Sequence, residues 1–488
     1  MLEPRRCAQA MAGGDAVELS DHGLKLSIDR RKGRASSLVS QLVDGIAEAI
    51  GQRRILSGEK LPSVRQMAMH LQLSTFTIAQ AYQRLVSLGM IASRPGAGFI
   101  VASPVTMEPA PQPRVPPSGP NDAWLLSEVF SDQTASIKAG CGWLPSGWLD
   151  GIEFGRALRS LSRTMKSQVG GYGQPFGDAS LRSRVAFELA RFGVPADINS
   201  VLITQGATQA IDLVIRFLLK PGDVVVVEDP CYCNLLERLK LARVQLLFVP
   251  RTPAGLDTDV LEALVQKHKP KALFVSSALH NPTGTSITLP MAYKVLQIAQ
   301  RTQMLIVEND VSRGLAPPDA PMLAAMAGLG PVIHIGGFSK TISPLLRVGF
   351  IAADAATLEA LVRLKMVTGL TSSAVTEKAV HQILVDSAYR QHLERLRHRL
   401  ADVHTQIERK LCAAGVELFH RPRGGLFLWG RLPIDPAEAR EVTARALRQG
   451  IWLAPGMYFS ASDTASAWFR FNVAYCDTDR FWQFLSAL

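Results

Sequence analysis

Long hydrophobic runs are missing from these 488 residues: charges interrupt an apolar content of 47% throughout, and no stretch nears the roughly 20 residues a membrane helix needs. No membrane partner is expected. The first thirty residues also lack the apolar segment of a secretory leader, being broken by Glu3, Asp15, Glu18 and Asp21, so residence in the cytoplasm is expected. Cysteine is sparse. Cys7, Cys141, Cys231, Cys233, Cys412 and Cys476 are too scattered for a disulfide framework. Cys231-Tyr232-Cys233 offers half a metal site with no second pair to complete four ligands, so no metal is expected.

What is present divides the chain. The length exceeds one ordinary core, which makes the protein multidomain. Residues 1–34, rich in Gly and charge without a sustained apolar period, read as a mostly disordered tail. Residues 103–120 contain seven prolines, which remove amide donors and restrict their predecessors, so 104–134 is expected to be a linker. Between them lies 35–103, and 135–488 follows. The formal net charge of +11 is uneven: residues 30–103 hold ten Lys or Arg against three Asp or Glu, which suits contact with a phosphate backbone.

Within 35–103, Leu38, Leu42, Val43, Ile46, Ala49 and Ile50 form a helical stripe. Ser63 caps a second helix, through Met67, Ala68 and Leu71. Ser74 caps a third, with Ile78, Ala81, Leu85 and Leu88 expected inward and Gly89 stopping it. Ile91–Ala92 and Phe99–Val101 then flank a basic, glycine-rich tip at 94–98, which predicts a β-wing. Leu61-Pro62-Ser63-Val64-Arg65, Ser74-Thr75-Phe76-Thr77 and Gly96-Ala97-Gly98 resemble the GntR family of winged helix-turn-helix regulators. That resemblance implies DNA contact through Ser63, Arg65, Ser74, Thr75, Thr77, Gln80, Arg94 and Gly96, with the third helix in the major groove. Thr75 departs from it, because the family usually has Arg there.

In the remainder, apolar runs at Val224–Val227, Ala272–Val275, Met304–Val307 and Val332–Ile335 alternate with helical segments such as Leu289–Gln300. Buried parallel strands read this way, so an α/β domain with a mainly parallel sheet is expected, its ligands beyond the strands' carboxyl ends. Lys340 follows the last of these runs, and Asn281 and the Glu308-Asn309-Asp310 group follow others. A reactive amine beside polar groups at strand ends is the set that pyridoxal 5'-phosphate requires.

The arrangement resembles fold-type I aminotransferases, with a small α+β C-terminal subdomain. The resemblance implies that Lys340 forms the internal aldimine, and that Ala207, Thr208, Ser339 and Arg347 hold the phosphate. It further implies that Tyr232 stacks on the ring, that Asn281 donates to the phenolic oxygen, and that Arg470 pairs with an effector carboxylate. Tyr172 would reach the phosphate of a neighbouring subunit, which requires a homodimer. Phasing on Glu308 puts Asn309 where aminotransferases keep an Asp against the pyridine nitrogen, with Asp310 beside it, and Ser312 where they have a Tyr. Either Asp310 substitutes through a local shift or the cofactor is a weak electron sink. Gly337 replaces a frequent phosphate-binding Ser, and Gly424–Phe427 is expected to border the effector pocket.

A GntR-type domain, a proline-rich linker and an aminotransferase-like domain in this order resemble the MocR subfamily of bacterial regulators. That implies a homodimer that binds promoter half-sites in double-stranded DNA and uses the cofactor to control binding, through an external aldimine with a small amine or amino acid. The alternative is a working aminotransferase with an accessory DNA-binding domain.

Overall fold

In a computed structural model the described residues are 16–19, 24–27, 37–94, 98–102, 135–152, 154–164, 170–460 and 467–488. The linker at 104–134 and the wing residue Gly96 lie outside them. Two compact units emerge, Met1–Gly119 and Pro120–Leu488.

The first unit begins with a correction. Inside the stretch expected to be a tail, β1 (Ala16–Leu19) pairs antiparallel with β2 (Leu24–Ser27). Polar and apolar residues alternate on both sides of Ser20-Asp-His-Gly23, a period of two that spans too few residues to stand out from a charged background.

Helices α1 (Leu38–Gly51), α2 (Val64–Leu71) and α3 (Thr75–Ser87) follow, capped by Ser37, Ser63 and Ser74. Each serine oxygen accepts a backbone amide three residues on, satisfying one of the donors a helix start leaves open. Ser63 and Gln66 make a reciprocal capping box. The wing is β3 (Ile91–Arg94) paired with β4 (Gly98–Val101). A core of Leu42, Ile46, Met67, Ile78, Leu85 and their neighbours closes the unit. Leu88, expected inward, is exposed, because α3 ends at Ser87; Tyr82 is buried instead, its hydroxyl donating to the Pro62 carbonyl at 2.9 Å.

The second unit is built on an eight-stranded sheet of β5 (Val201–Thr204), β6 (Val224–Asp229), β7 (Gln245–Thr252), β8 (Gly255–Leu256), β9 (Ala272–Val275), β10 (Leu305–Asn309), β11 (Val332–Gly337) and β12 (Gly349–Ala352). Their spatial order is β5-β12-β11-β10-β9-β6-β7-β8. The run from β11 to β7 is parallel, as expected for strands joined by helical crossovers, while β12, β5 and β8 pair antiparallel. Separate apolar clusters cover the two faces: Val226, Leu273 and Ile306 point into one, Val225, Val227, Phe274 and Val307 into the other.

A smaller four-stranded antiparallel sheet completes the chain. It is β13 (Glu417–Leu418), β14 (Phe427–Arg431), β15 (Ala454–Pro455) and β16 (Trp468–Asn472), in the order β13-β14-β16-β15. The helix Ser387–Ala413 buries Leu396, Leu400, Ile407 and Leu411 in the core that includes its strands. This is the α+β subdomain expected from the sequence.

Candidate functional site

Strand alternation decides which groups face the space beyond the large sheet. On β10, Ile306 and Glu308 point to one face and Val307 and Asn309 to the other. Glu308 is fixed on its side, accepting the amides of Leu323 and Ala324 at 2.8 and 3.0 Å and pairing with His334 Nδ1 at 3.0 Å. Burial opposes its charge, but those bonds outweigh burial and hold its carboxyl at about 2. Asp310 lies past the strand end, and Arg313 Nε donates to its carboxylate at 2.5 Å. Burial nonetheless pushes the Asp310 carboxyl up to about 6. Glu308, Asp310 and His334 offer atoms within 4.8 Å of one another, but protein donors already occupy both Glu308 oxygens.

Asn309 shares its pocket with Tyr232, Ile211, Glu228 and Ser276. Its Oδ1 is buried without a hydrogen-bond partner among the described residues. Asp310 Oδ1 is likewise without a partner among the described residues while its other oxygen takes the Arg313 donor, and of the two residues weighed from the sequence the structure brings Asn309 to the Tyr232 side. Tyr232 heads the helix Cys233–Leu241. Burial, with the Cys233 thiol next to it, pushes its phenol up to about 12.

Lys340 lies in the loop after β11, and its Nζ donates to the Gly142 carbonyl. Burial, reinforced by the nearby Arg470 and Arg347 charges, pulls its ammonium down to about 8. Arg470, on β16, donates to Asn281 Oδ1 at 2.7 Å and, through Nη2 and Nε, to the Gly140 carbonyl at 2.6 and 3.2 Å. The rings of Phe427 and Phe459 flank its guanidinium at 4.7 and 4.8 Å. Lys340 and Arg470 thus converge on the turn Gly140–Gly142, and Asn281 joins them through Arg470. That turn was not read from the sequence, since contacts made through backbone carbonyls leave no side-chain signature. Asn472 braces it, donating to the Cys141 and Trp143 carbonyls at 3.0 and 2.8 Å. Phe427, the last residue of the Gly424–Phe427 segment, is set beside Arg470.

A second polar corner forms where β5 ends. Gly206 opens the helix Gly206–Leu218, whose start carries no side-chain cap, so the first-turn amides at Ala207 and Thr208 lack that partner. Gly206 has φ +76°, and a Cβ there would lie 2.7 Å from Arg347 Nη2. Only a residue without a side chain lets the guanidinium close over the helix start. On β12, a Cβ at Gly349 would lie 2.6 Å from the Ala207 nitrogen, so this strand also approaches through missing atoms. Ser339 is half-buried beside Lys340. Tyr172 is 87% exposed, its ring presented to solvent.

These features fit a phosphorylated pyridine aldehyde. A helix start beside a guanidinium suits a phosphate dianion, a depressed lysine suits the aldehyde, and an unpartnered amide beside an aromatic ring suits the heterocycle.

On the first unit, the Ser63, Ser74 and Thr77 side chains are engaged locally. Ser74 Oγ and Thr77 Oγ1 lie 2.7 Å apart, and the Ser63 oxygen receives the Gln66 amide. Arg65, Thr75, Gln80 and Arg94 are exposed.

A lysine and an arginine beyond the carboxyl ends of a mainly parallel sheet, with a glycine-opened helix start opposite, define an aminotransferase-type domain; the first unit is a winged helix. Residues 38–101 match the bacterial regulatory proteins of the gntR family, and residues 146–488 match aminotransferase class I and II. The HTH-type transcriptional regulator YdcR of Escherichia coli (strain K12) is 30% identical over 449 residues, covering 90% of this chain and 94% of that protein. The 2-aminoadipate transaminase of Thermus thermophilus is 32% identical over 318 residues, or 63% of this chain and 78% of that one. Among solved structures, LysN, an alpha-aminoadipate aminotransferase from Thermus thermophilus complexed with N-(5'-phosphopyridoxyl)-L-leucine, superposes with a TM-score of 0.67 at 27% identity, covering 74% of this chain and 92% of LysN. The chain belongs to the GntR-type, MocR-like transcriptional regulators that carry a class I and II aminotransferase domain. Pyridoxal phosphate is the cofactor this domain implies. No helix among the described residues is long and apolar enough to cross a membrane.

Proposed function

We propose that this protein is a cytoplasmic, homodimeric regulator whose large domain senses a small amine or amino acid and passes that signal to promoter binding. The convergence of Lys340 and Arg470 on one backbone turn, with Asn281 held by Arg470, carries this reading. When bound, the cofactor supplies an aldehyde that captures primary amines and a ring that withdraws electrons. Lys340 is the resident amine. Ala207, Thr208, Ser339 and Arg347 hold the phosphate, Tyr232 covers the ring, and Asn309 meets its nitrogen. Arg470, screened from water by two phenyl rings, selects a carboxylate on the effector.

Asn309 cannot stabilise a pyridinium as a carboxylate does, which favours capture over turnover. Lys340 would be released as a free amine when another amine takes its place, able to donate to the Gly142 carbonyl as it does here. For this to change DNA binding, the effector must prefer one arrangement of the dimer, because equal affinity for both shifts nothing. Tyr172, exposed in its own protomer, would serve the neighbouring subunit.

The test is a spectral titration of purified protein with candidate amines, run beside a gel shift on the promoter next to its own gene. Visible absorbance that vanishes in Lys340→Ala, and a retarded band that responds to the same amine, are expected. An unchanged spectrum in Lys340→Ala overturns the cofactor assignment. A second reading, a working aminotransferase with a DNA-binding headpiece, is favoured by the transaminase relative at 32% identity. Rapid amino-group transfer from a panel of amino acids would establish it.

A further inference from the structure

The third helix of the first unit carries an aromatic side chain that its own core does not use. Phe76 occupies the first turn of α3 and is 70% exposed. The buried residues of α3 are Ile78, Ala81, Tyr82 and Leu85. At about 100° per residue their mean direction is roughly opposite Phe76. Along the outward row stand Gln80 and Gln83, four and seven residues on, both exposed. A protein-docking stripe would continue apolar along that row. Here the neighbours are amides, and the next exposed apolar side chains on this segment, Val86 and Leu88, lie about 15 Å or more along the axis.

We propose that Phe76 is a specificity-determining residue that packs on the 5-methyl group of a thymine in the major groove. The inference rests on the winged helix being the DNA-binding element. A helix entering the groove leads with its first turns, and of the four base pairs only those containing thymine present an apolar group there. Ser74 and Thr77, on either side of Phe76 in this turn, spend their hydroxyls on each other and on the helix cap. The first-turn groups left to meet a base edge are therefore the Thr75 hydroxyl and the Phe76 ring. Gln80, one turn behind on the same row, has the amide that pairs with adenine. The expected half-site accordingly contains a thymine close to an adenine.

The experiment uses the full chain with pyridoxal phosphate and a random duplex pool to select bound sequences, followed by replacement of each selected thymine with deoxyuridine, which lacks only the methyl group. Wild-type protein should lose about fourfold in affinity at one thymine per half-site, the scale of one buried methyl. Phe76→Ala should bind the thymine and uracil duplexes equally, and Phe76→Leu should retain the discrimination. The unfolding midpoint of each variant, measured in parallel, should match wild type because the side chain lies outside the core. The same thymine dependence in wild type and Phe76→Ala, or none in wild type, overturns the proposal while leaving DNA binding intact. A pool from which nothing is enriched overturns the DNA-binding reading and this inference with it.

Discussion

The depressed Lys340 amine makes a kinetic prediction. Attack on an aldehyde requires the uncharged amine. An ordinary lysine at 10.5 is uncharged in about 0.03% of molecules at pH 7, whereas one at about 8 is uncharged in about 10%, a gain of about three hundredfold. Cofactor-free protein mixed with limiting pyridoxal phosphate should develop visible absorbance at a rate that climbs tenfold per pH unit up to about pH 8 and is flat above. Burial is the main cause of the shift and Arg470 the next, so Arg470→Met should move the inflection upward without restoring ordinary behaviour. Stability follows the same sign. Between about pH 8 and 10.5 the unfolded chain binds more protons at this residue than the folded one, so cofactor-free protein should gain stability as pH rises through that window. A rate that keeps climbing tenfold per unit to pH 10 would refute the reasoning, because it would mean a solvated lysine.

Three further outcomes are expected. Asn309→Asp places a carboxylate in a pocket that already holds Glu228, and should destabilise cofactor-free protein by about 3 kcal/mol; the thermal shift on adding cofactor should then be larger than in wild type and amino-group transfer faster, and equal shifts would remove Asn309 from the ring nitrogen. Gly206→Ala sets a methyl 2.7 Å from Arg347 Nη2 and forces a left-handed alanine costing about 1–2 kcal/mol, so a spectral titration should show at least about tenfold weaker cofactor binding. Tyr82→Phe leaves the Pro62 carbonyl without its donor and should cost the winged helix about 1 kcal/mol in a denaturant titration while leaving the cofactor absorbance unchanged.

Signals written within a few residues were legible before the fold was seen. Ser63 and Ser74 announce helix starts because the cap is a local hydrogen bond, and the runs at β6, β9, β10 and β11 announce buried strands because both faces are covered. The strands β5 and β12 were not singled out, although at four residues each they match β9 in length. Leu88 was misplaced because the apolar pattern runs one residue past the end of the helix at Ser87. The residues that make the large site were legible as types but not as an arrangement. Lys340 and Arg470 meet at a turn 198 and 330 residues away in sequence, through carbonyl oxygens that any residue supplies. Which of Asn309 and Asp310 shares the Tyr232 pocket hangs on a single step of strand phase, fixed where the Leu323 and Ala324 amides anchor Glu308.

That anchoring has an evolutionary consequence. With Glu308 tied to a helix start and Asp310 to a guanidinium, the end of β10 is held from one side of the sheet, and the residue between them bears no part of that task. On the proposed reading, in which Asn309 meets the ring nitrogen, position 309 is an electronic dial set in a rigid mount. A lineage could turn a sensor into a catalyst, or the reverse, by exchanging one amide for one carboxylate, with the surrounding architecture left standing.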